Sequence, residues 1–143
     1  MELFLKQNEF ILKTKVISIK LKIKYLCDSD EKRKKGLMKK KISDSECAFF
    51  IFPNRGCHGF WNKDVDYPID VCFINDKFII VDIFDLEATS ENVKYPGNRE
   101  VKYVIETNKG ILESNGVEVD DQVDFDPDNF LIIIKKGLSD HNE

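Results

Sequence analysis

The sequence predicts an α+β fold, with a mainly antiparallel, partly closed, barrel-like sheet and two short helices. Three observations favour this fold class. Short stretches with strand character recur along the whole chain and are separated by turn residues. Helix start and stop signals occur at only two short stretches. The 143 residues contain no internal repeat or linker, so we expect one domain, 1–143, around a single core.

The first predicted strand is a stretch in which apolar residues alternate with lysines. Its apolar side chains share one face: Ile17, Ile19, Leu21, Ile23 and Tyr25. This period of two is typical of a half-exposed strand, and the lysines favour a position at the edge of the sheet. A short helix follows, in which Asp28 or Ser29 is the N-cap and Gly36 marks the end.

The middle of the chain predicts three buried strands. Residues 47–53 are rich in Phe and end at a Pro, which indicates a short buried strand. Residues 69–74 and 78–84 are both apolar, and the Asn-Asp pair at 75–76 between them predicts a tight hairpin turn. The polar stretch 85–99 is expected to be a long loop.

The last part of the chain predicts three further strands and a second short helix. The strands cover 101–107, 117–125 and 130–136, and the helical turns lie within 109–116. The last two strands form a hairpin through a turn at 126–129. We expect residues 137–143 to be a frayed tail.

Basic residues are concentrated in the first part of the chain. Residues 1–41 contain 13 Lys and Arg against 5 Asp and Glu, a net of +8; residues 42–143 contain 9 against 21, a net of −12. Such asymmetry can indicate a surface for nucleic acid or an acidic partner. The candidates for nucleic-acid binding are Lys32, Arg33, Lys35, Lys39 and Lys40, together with Lys34 and Lys41. Because no aromatic residues are interleaved with them, a solvated helix face is favoured.

The four cysteines are widely spaced and include no C-x-x-C pair. Because no signal peptide or membrane-spanning stretch is apparent, we expect reduced thiols, no membrane association and a cytoplasmic protein.

The spacing of Cys and His residues that is typical of zinc sites is absent, so no metal or cofactor is expected. Cys57 and His58 are strand neighbours that point apart, which excludes a nucleophile–base pair. The DFDPDN stretch, residues 124–129, begins like a calcium loop but lacks its Gly and its Glu, and it is expected to be a hairpin turn.

Five segments, in order, resemble the motifs of one family. They are KGLMKKK (35–41), AFFIFP (48–53), FWNKDVDYPIDVCFI (60–74), YVIETNKG (103–110) and VEVDDQVDF (117–125). Together they resemble the domain of unknown function 192 family, over about residues 19–125. The resemblance implies a compact, largely β domain whose biochemical role is not established. Asn62, Asp64 and Asp121 depart from it, standing where the family favours Met, Asn and Gly.

The candidate site lies in the stretch HGFWNKDVDYPIDVCF, residues 58–73. Alternation places Phe60, Val71 and Phe73 in the core, so that Trp61, Lys63 and Asp70 are expected to gather on a second face. Glu106, a carboxylate in an apolar strand, matches the family's Glu and is expected to join them. The predicted ligand-binding residues are therefore Trp61, Lys63, Asp70 and Glu106.

Three interpretations of this cluster remain open. The first is a non-catalytic binding or accessory module for a small polar or anionic ligand, with Trp61 excluding water. The second is an enzyme acting on a small polar substrate, with Asp70 or Glu106 as general base and Lys63 stabilising developing negative charge. The third is a purely structural set of ion pairs between Lys63 and the carboxylates.

Overall fold

The computed structural model describes residues 16–137, which form seven strands and two short helices. In chain order, the elements are β1 (Ile17–Cys27), α1 (Asp30–Lys35), β2 (Glu46–Gly56), β3 (Ile69–Asn75), β4 (Ile80–Leu86), β5 (Val101–Asn108), α2 (Ile111–Ser114), β6 (Gln122–Asp126) and β7 (Leu131–Lys135). Among these residues, no helix has the length and apolar composition needed to cross a membrane. The tail predicted beyond residue 137 lies outside the described range.

All seven strands belong to one sheet, in the order β4-β3-β5-β2-β1-β7-β6. The predicted mostly β fold with two short helices is confirmed, with two corrections. The sheet is mixed, because β1 and β2 are parallel and are connected through α1, whereas the other neighbours are antiparallel. It is a half-barrel that does not close into a continuous sheet. Its two edges meet at an isolated bridge between Ile79 and Gln122 and at a few backbone hydrogen bonds beside it.

Two local predictions differ from the structure for identifiable reasons. β1 is an interior strand and not an edge strand, because its backbone pairs with β2 on one side and with β7 on the other. The turn after β3 is longer than the predicted two residues. There the Asn75 side chain accepts hydrogen bonds from the backbone N–H groups of Lys77 and Ile79, both at 2.9 Å, and Phe78 takes a positive φ of 61°.

Apolar side chains are buried on both faces of the sheet. The inner cluster takes residues from all seven strands and from α2, including Phe49, Cys72 and Ile105. The outer cluster covers β2, β3 and β5, and includes Phe50, Val71 and Phe73 together with residues from the connecting segments. Because successive residues of a strand point to opposite faces, neighbours such as Val71 and Cys72 belong to different clusters.

Phe60 attaches the connection between β2 and β3 to the outer face of the sheet. Its ring packs edge-on against Phe50, with centroids 4.9 Å apart, and against Phe73, at 5.7 Å. Each such pair contributes about 0.5–1.5 kcal/mol beyond the burial of its area. The predicted core position of Phe60, Val71 and Phe73 is confirmed. Since Phe60 is fixed, the residues that follow it are held above the outer face.

Candidate functional site

A cavity of about 260 Å³ lies between α1, the connection after β2 and the outer face of the sheet. Trp61, Lys63 and Glu106, three of the four predicted site residues, line it. The Gly36–Met38 segment, which carries part of the family resemblance, also lines it. Sequence segments that are far apart in the chain therefore converge on one concave surface.

Glu106 is the buried acid of this cavity. In the sheet it lies between Ala48 of β2 and Val71 of β3, both fully buried, and it is itself only 3% exposed. No hydrogen bond or ion pair within the described residues involves its side chain. Burial in this apolar layer raises the pKa of the Glu106 carboxyl from 4.5 to about 8. The group is therefore mainly a neutral acid at pH 7.

Asn62 supplies a second buried polar group, which the sequence analysis did not predict as a site residue. Its Nδ2 donates to the backbone carbonyls of Tyr67, at 2.9 Å, and Glu87, at 3.0 Å. These two acceptors fix the amide orientation. Asn62 lines the cavity and is 1% exposed, yet its Oδ1 is buried without a hydrogen-bond partner, the one such side-chain atom within residues 16–137. An unsatisfied buried acceptor costs about 1–3 kcal/mol.

Two cations and an aromatic ring lie at the opening of the cavity. The Lys63 ammonium lies 5.3 Å from the centroid of the Trp61 ring, which is 39% exposed. Lys34 is exposed and also lines the cavity. Within the part of the chain that the structure describes, neither lysine forms a salt bridge. Both ammonium groups are therefore available to an anionic group.

Arg33 also borders the cavity, but its guanidinium is already engaged. Its Nη1 donates to the carbonyl of Ile51 at 2.7 Å, and its Nη2 donates to Asp30 at 2.6 Å. The guanidinium also lies 5.4 Å from the centroid of the Phe52 ring. Arg33 therefore ties α1 to β2 and forms a wall of the cavity.

Strained backbone surrounds the Asn62–Val65 connection. Lys39, Asp64 and Thr89 have φ values of 59°, 60° and 58°, and none of them is glycine. Hydrogen bonds hold them together, from Lys39 N–H to the Asp64 carbonyl and from Thr89 N–H to the Val65 carbonyl. Asp64 stands where the family favours Asn, and both residues tolerate a left-handed backbone. This departure therefore keeps the local geometry.

Asp70 does not join the other candidates, which corrects the predicted cluster. Val71 is the residue opposite Glu106 in the sheet, so the preceding Asp70 points to the other face. There it lines a separate cavity with Lys109, and its Oδ2 accepts a hydrogen bond from Gly110 N–H at 2.9 Å. Burial raises the pKa of Asp70, although backbone hydrogen bonds from Gly110 and Leu112 oppose this effect.

The paired chemistry predicted from Asp70 is therefore absent. Asp70 and Glu106 lie on opposite faces of the sheet and cannot act as a carboxylate pair. Ion pairs of Lys63 with either carboxylate are not formed among residues 16–137. Asp70 instead satisfies backbone donors at the start of α2, which is a structural role.

Much of the basic segment is paired with nearby acids. Lys32 forms a salt bridge with Asp28, Lys35 with Glu31 and Lys41 with Asp66. The Lys40 ammonium donates to the Gly36 carbonyl and lies 5.2 Å from the centroid of the Tyr25 ring. Lys39 is exposed. These pairs offset part of the positive charge that the sequence displays.

The four cysteines are free thiols, and three of them are buried: Cys27, Cys47 and Cys72. Burial raises the pKa of each of these three thiols, that of Cys27 to about 12. Cys57 is exposed, whereas the His58 ring stacks on the Phe52 ring, with centroids 3.8 Å apart.

At the 126–129 turn, Asp126 accepts hydrogen bonds from the backbone N–H groups of Asp128 and Asn129. Among the described residues, no group of three or more His, Cys, Asp or Glu could hold a metal ion.

The comparison with known families agrees with the motifs. The model of the domain of unknown function 192 family, described as "Uncharacterized ACR", matches residues 11–125. The chain belongs to this family. A curated relative, a UPF0127 protein of Pyrococcus furiosus, is 30% identical over an alignment of 117 residues that covers 78% of this chain and 93% of the relative. The family resemblance predicted from the motifs is confirmed, and the family has no established function.

Two solved structures share the fold of this domain of unknown function 192 protein. A protein of unknown function from Novosphingobium aromaticivorans has a TM-score of 0.66 and 22% identity, covering 70% of this chain and 72% of its own. A Sinorhizobium meliloti protein, described as "a putative transcription regulator", has a TM-score of 0.65 and 27% identity, covering 71% and 79%. These similarities support the half-barrel architecture.

Proposed function

We propose that this member of the domain of unknown function 192 family is a non-catalytic module that binds a small polar ligand in the cavity lined by Trp61, Lys63 and Glu106. The observation that carries the proposal is Glu106, a buried carboxyl group that borders a cavity and has no partner among the described residues. Buried carboxyl groups are ordinarily paired or hydrogen-bonded. A ligand in the cavity supplies the missing partner.

The structural alternative is weaker for two physical reasons. A structural Glu106 requires a cation or a hydrogen-bond donor nearby, and none of the described residues provides one. The Glu106 carboxyl also borders a cavity that a small molecule can enter. Its unsatisfied oxygens cost stability in the absence of a ligand, and a bound molecule can offset that cost.

The opening of the cavity supports a ligand with an acidic part. Lys34 and Lys63 have no carboxylate partner within residues 16–137, and Trp61 presents a partly exposed ring beside Lys63. At about 260 Å³, the cavity is just below the range of about 300–1,000 Å³ that is common for ligand pockets. The ligand is therefore expected to be smaller than a typical drug molecule.

A thermal-shift screen of a metabolite library tests this proposal. A ligand for the cavity raises the melting temperature of the parent protein. The same ligand has a reduced effect on Glu106→Gln and on Lys63→Ala, and a full effect on the control Lys77→Ala, an exposed lysine elsewhere in the fold. A ligand that stabilises all four proteins equally binds elsewhere and contradicts the proposal.

Catalysis is the second candidate function, and one observation favours it. The pKa of Glu106, about 8, is close to neutral pH, where a general acid or base is effective. Lys63 lines the same cavity and can stabilise negative charge. Incubation of each screening hit with the protein, followed by mass spectrometry, measures turnover. Conversion of a compound by the parent but not by Glu106→Gln supports an enzyme. If the parent converts none of the bound compounds, the result supports a binding module.

Nucleic-acid binding through the basic segment 32–41 stays a prediction. A fluorescence anisotropy titration with mixed-sequence oligonucleotides at low salt measures it. Binding that weakens steeply with added salt supports phosphate contacts. No binding at low salt excludes this candidate.

A further inference from the structure

We infer that the ligand is amphoteric, with a protonated amine that enters the cavity and an acid group that stays at its opening, as in a small apolar amino acid. This inference rests on the proposed function of the same cavity. It follows from the different polar groups at the inner wall and at the opening, and from the apolar surface between them.

The inner wall of the cavity requires hydrogen-bond donors. Asn62 provides no free donor there, because both hydrogens of its amide are used by the Tyr67 and Glu87 carbonyls. Glu106 offers carboxyl oxygens that form no ion pair with any cation among residues 16–137. An ammonium group brings three donors and a positive charge. Either a carboxylate or an ether in its place offers no hydrogen-bond donor to the Glu106 oxygens.

The opening of the cavity requires the opposite charge. Lys34 and Lys63 line the opening, and no acid in the described part of the chain pairs with either of them. The other two cations of the lining, Arg33 and Lys35, are already paired with Asp30 and Glu31. A ligand acid group therefore meets two free ammonium groups. The reverse orientation places two carboxyl groups together and exposes the amine to the lysines.

The walls between these two ends are apolar. They are formed by the side chains of Leu37, Met38, Phe50, Phe52, Phe60 and Val65. A hydrocarbon side chain of a bound molecule packs against them and gains free energy by burial. Apolar amino acids satisfy all three requirements within one small molecule.

Binding of an amine is coupled to a proton on Glu106. The free carboxyl is mainly neutral at pH 7 because burial raises its pKa to about 8. The titratable neighbours on the same face, Cys27 and Tyr67, are also uncharged there, since burial raises the pKa of each to about 12. An ammonium group favours the ionised carboxylate. Binding at pH 7 therefore releases close to one proton per ligand.

Isothermal titration calorimetry with matched ligands tests the inference. The first set is leucine, isocaproate, which lacks the amine, and isoamylamine, which lacks the acid. The second set is phenylalanine, hydrocinnamate and phenethylamine. The expected result is that leucine or phenylalanine binds at least ten-fold more tightly than both of its analogues. Titrations at pH 7 in two buffers of different ionisation enthalpy count the released protons.

Two outcomes separate this inference from the proposed function. Equal or tighter binding of isocaproate or hydrocinnamate overturns the amine requirement but leaves a ligand-binding cavity. If no compound binds at millimolar concentration, the amino-acid inference is overturned, and the metabolite screen then decides the proposed function separately.

A matched pair of variants provides the second test. Glu106→Gln keeps the shape of the side chain but removes the carboxyl group, so it is expected to reduce the preference for the amino acid over its deaminated analogue at least ten-fold. It is also expected to abolish the proton release. The control Glu113→Gln, at an exposed acid in α2, is expected to change neither. An unchanged preference and an unchanged proton release in Glu106→Gln overturn the assignment of the amine to this wall.

Discussion

Replacement of Glu106 by Gln tests the electrostatic basis of the site without any ligand. Gln has nearly the same shape as a protonated Glu and cannot ionise. In the folded protein the carboxyl is buried between Ala48 and Val71, and burial alone raises its pKa from 4.5 to about 8. The parent protein therefore loses stability over a pH range in which the variant does not.

The sign and size of this effect follow from proton linkage. Above pH 4.5 the unfolded chain releases the Glu106 proton, whereas the folded chain retains it until about pH 8. The free energy of unfolding of the parent therefore falls as the pH rises, by about 1.4 kcal/mol per pH unit within this window. Over the whole window the loss is at most about 5 kcal/mol, of which about 4 lie between pH 5 and pH 8.

Urea unfolding at pH 5, 6, 7 and 8 measures this difference. The stability of Glu106→Gln relative to the parent is expected to rise steadily across the series, by up to about 4 kcal/mol. Subtraction of the parent curve removes the titration of all other groups, and Glu113→Gln provides the control at an exposed acid. A difference that stays constant from pH 5 to pH 8 refutes the reasoning, because it means that Glu106 is already ionised or paired in the folded protein.

Three further predictions concern the residues that shape the site. Asp70→Ala leaves the Gly110 N–H without its acceptor, so the free energy of unfolding measured with urea is expected to fall by about 1–3 kcal/mol. The affinity for a ligand of the Glu106 cavity is expected to stay unchanged, and a weakened affinity contradicts the separation of the two faces. Gly36→Ala places a side chain at a φ of +47°, so thermal unfolding is expected to show a loss of about 1–2 kcal/mol, and an equally stable variant contradicts this conformation. Arg33→Lys loses the hydrogen bond to the Ile51 carbonyl, so the free energy of unfolding measured with urea is expected to fall by about 1 kcal/mol. An unchanged free energy of unfolding contradicts a structural role for Arg33.

The strands were predictable where the pattern was local. The alternation from residue 17 to residue 25 predicted β1 correctly, and Leu21 and Ile23 are buried as expected. Its position in the sheet was not predictable in this way, because pairing with β2 and β7 joins residues far apart in the chain. The parallel pairing of β1 with β2 depends on the crossover through α1, and no pattern within a single strand encodes it.

The candidate site was partly predictable for the same reason. Family motifs predicted Trp61, Lys63 and Glu106, and the structure brings these residues to one cavity. Asp70 was wrongly grouped with them because the register between β3 and β5 cannot be deduced from either strand alone. Asn62 was visible only as a departure from the family pattern, since its importance lies in an unsatisfied oxygen that only the three-dimensional structure reveals.

The alternation of side chains along β3 and β5 places the two buried acids Asp70 and Glu106 on opposite faces of the sheet. Val71 and Asp70 are neighbours in β3, and they lie opposite Glu106 and Thr107 of β5. One face thus receives a carboxylate that holds the α2 turn through Gly110, and the other receives a carboxyl group with no partner among residues 16–137. Within this range the first carboxylate is satisfied and the second is not. Glu106, rather than Asp70, is therefore the acid that a ligand can complete.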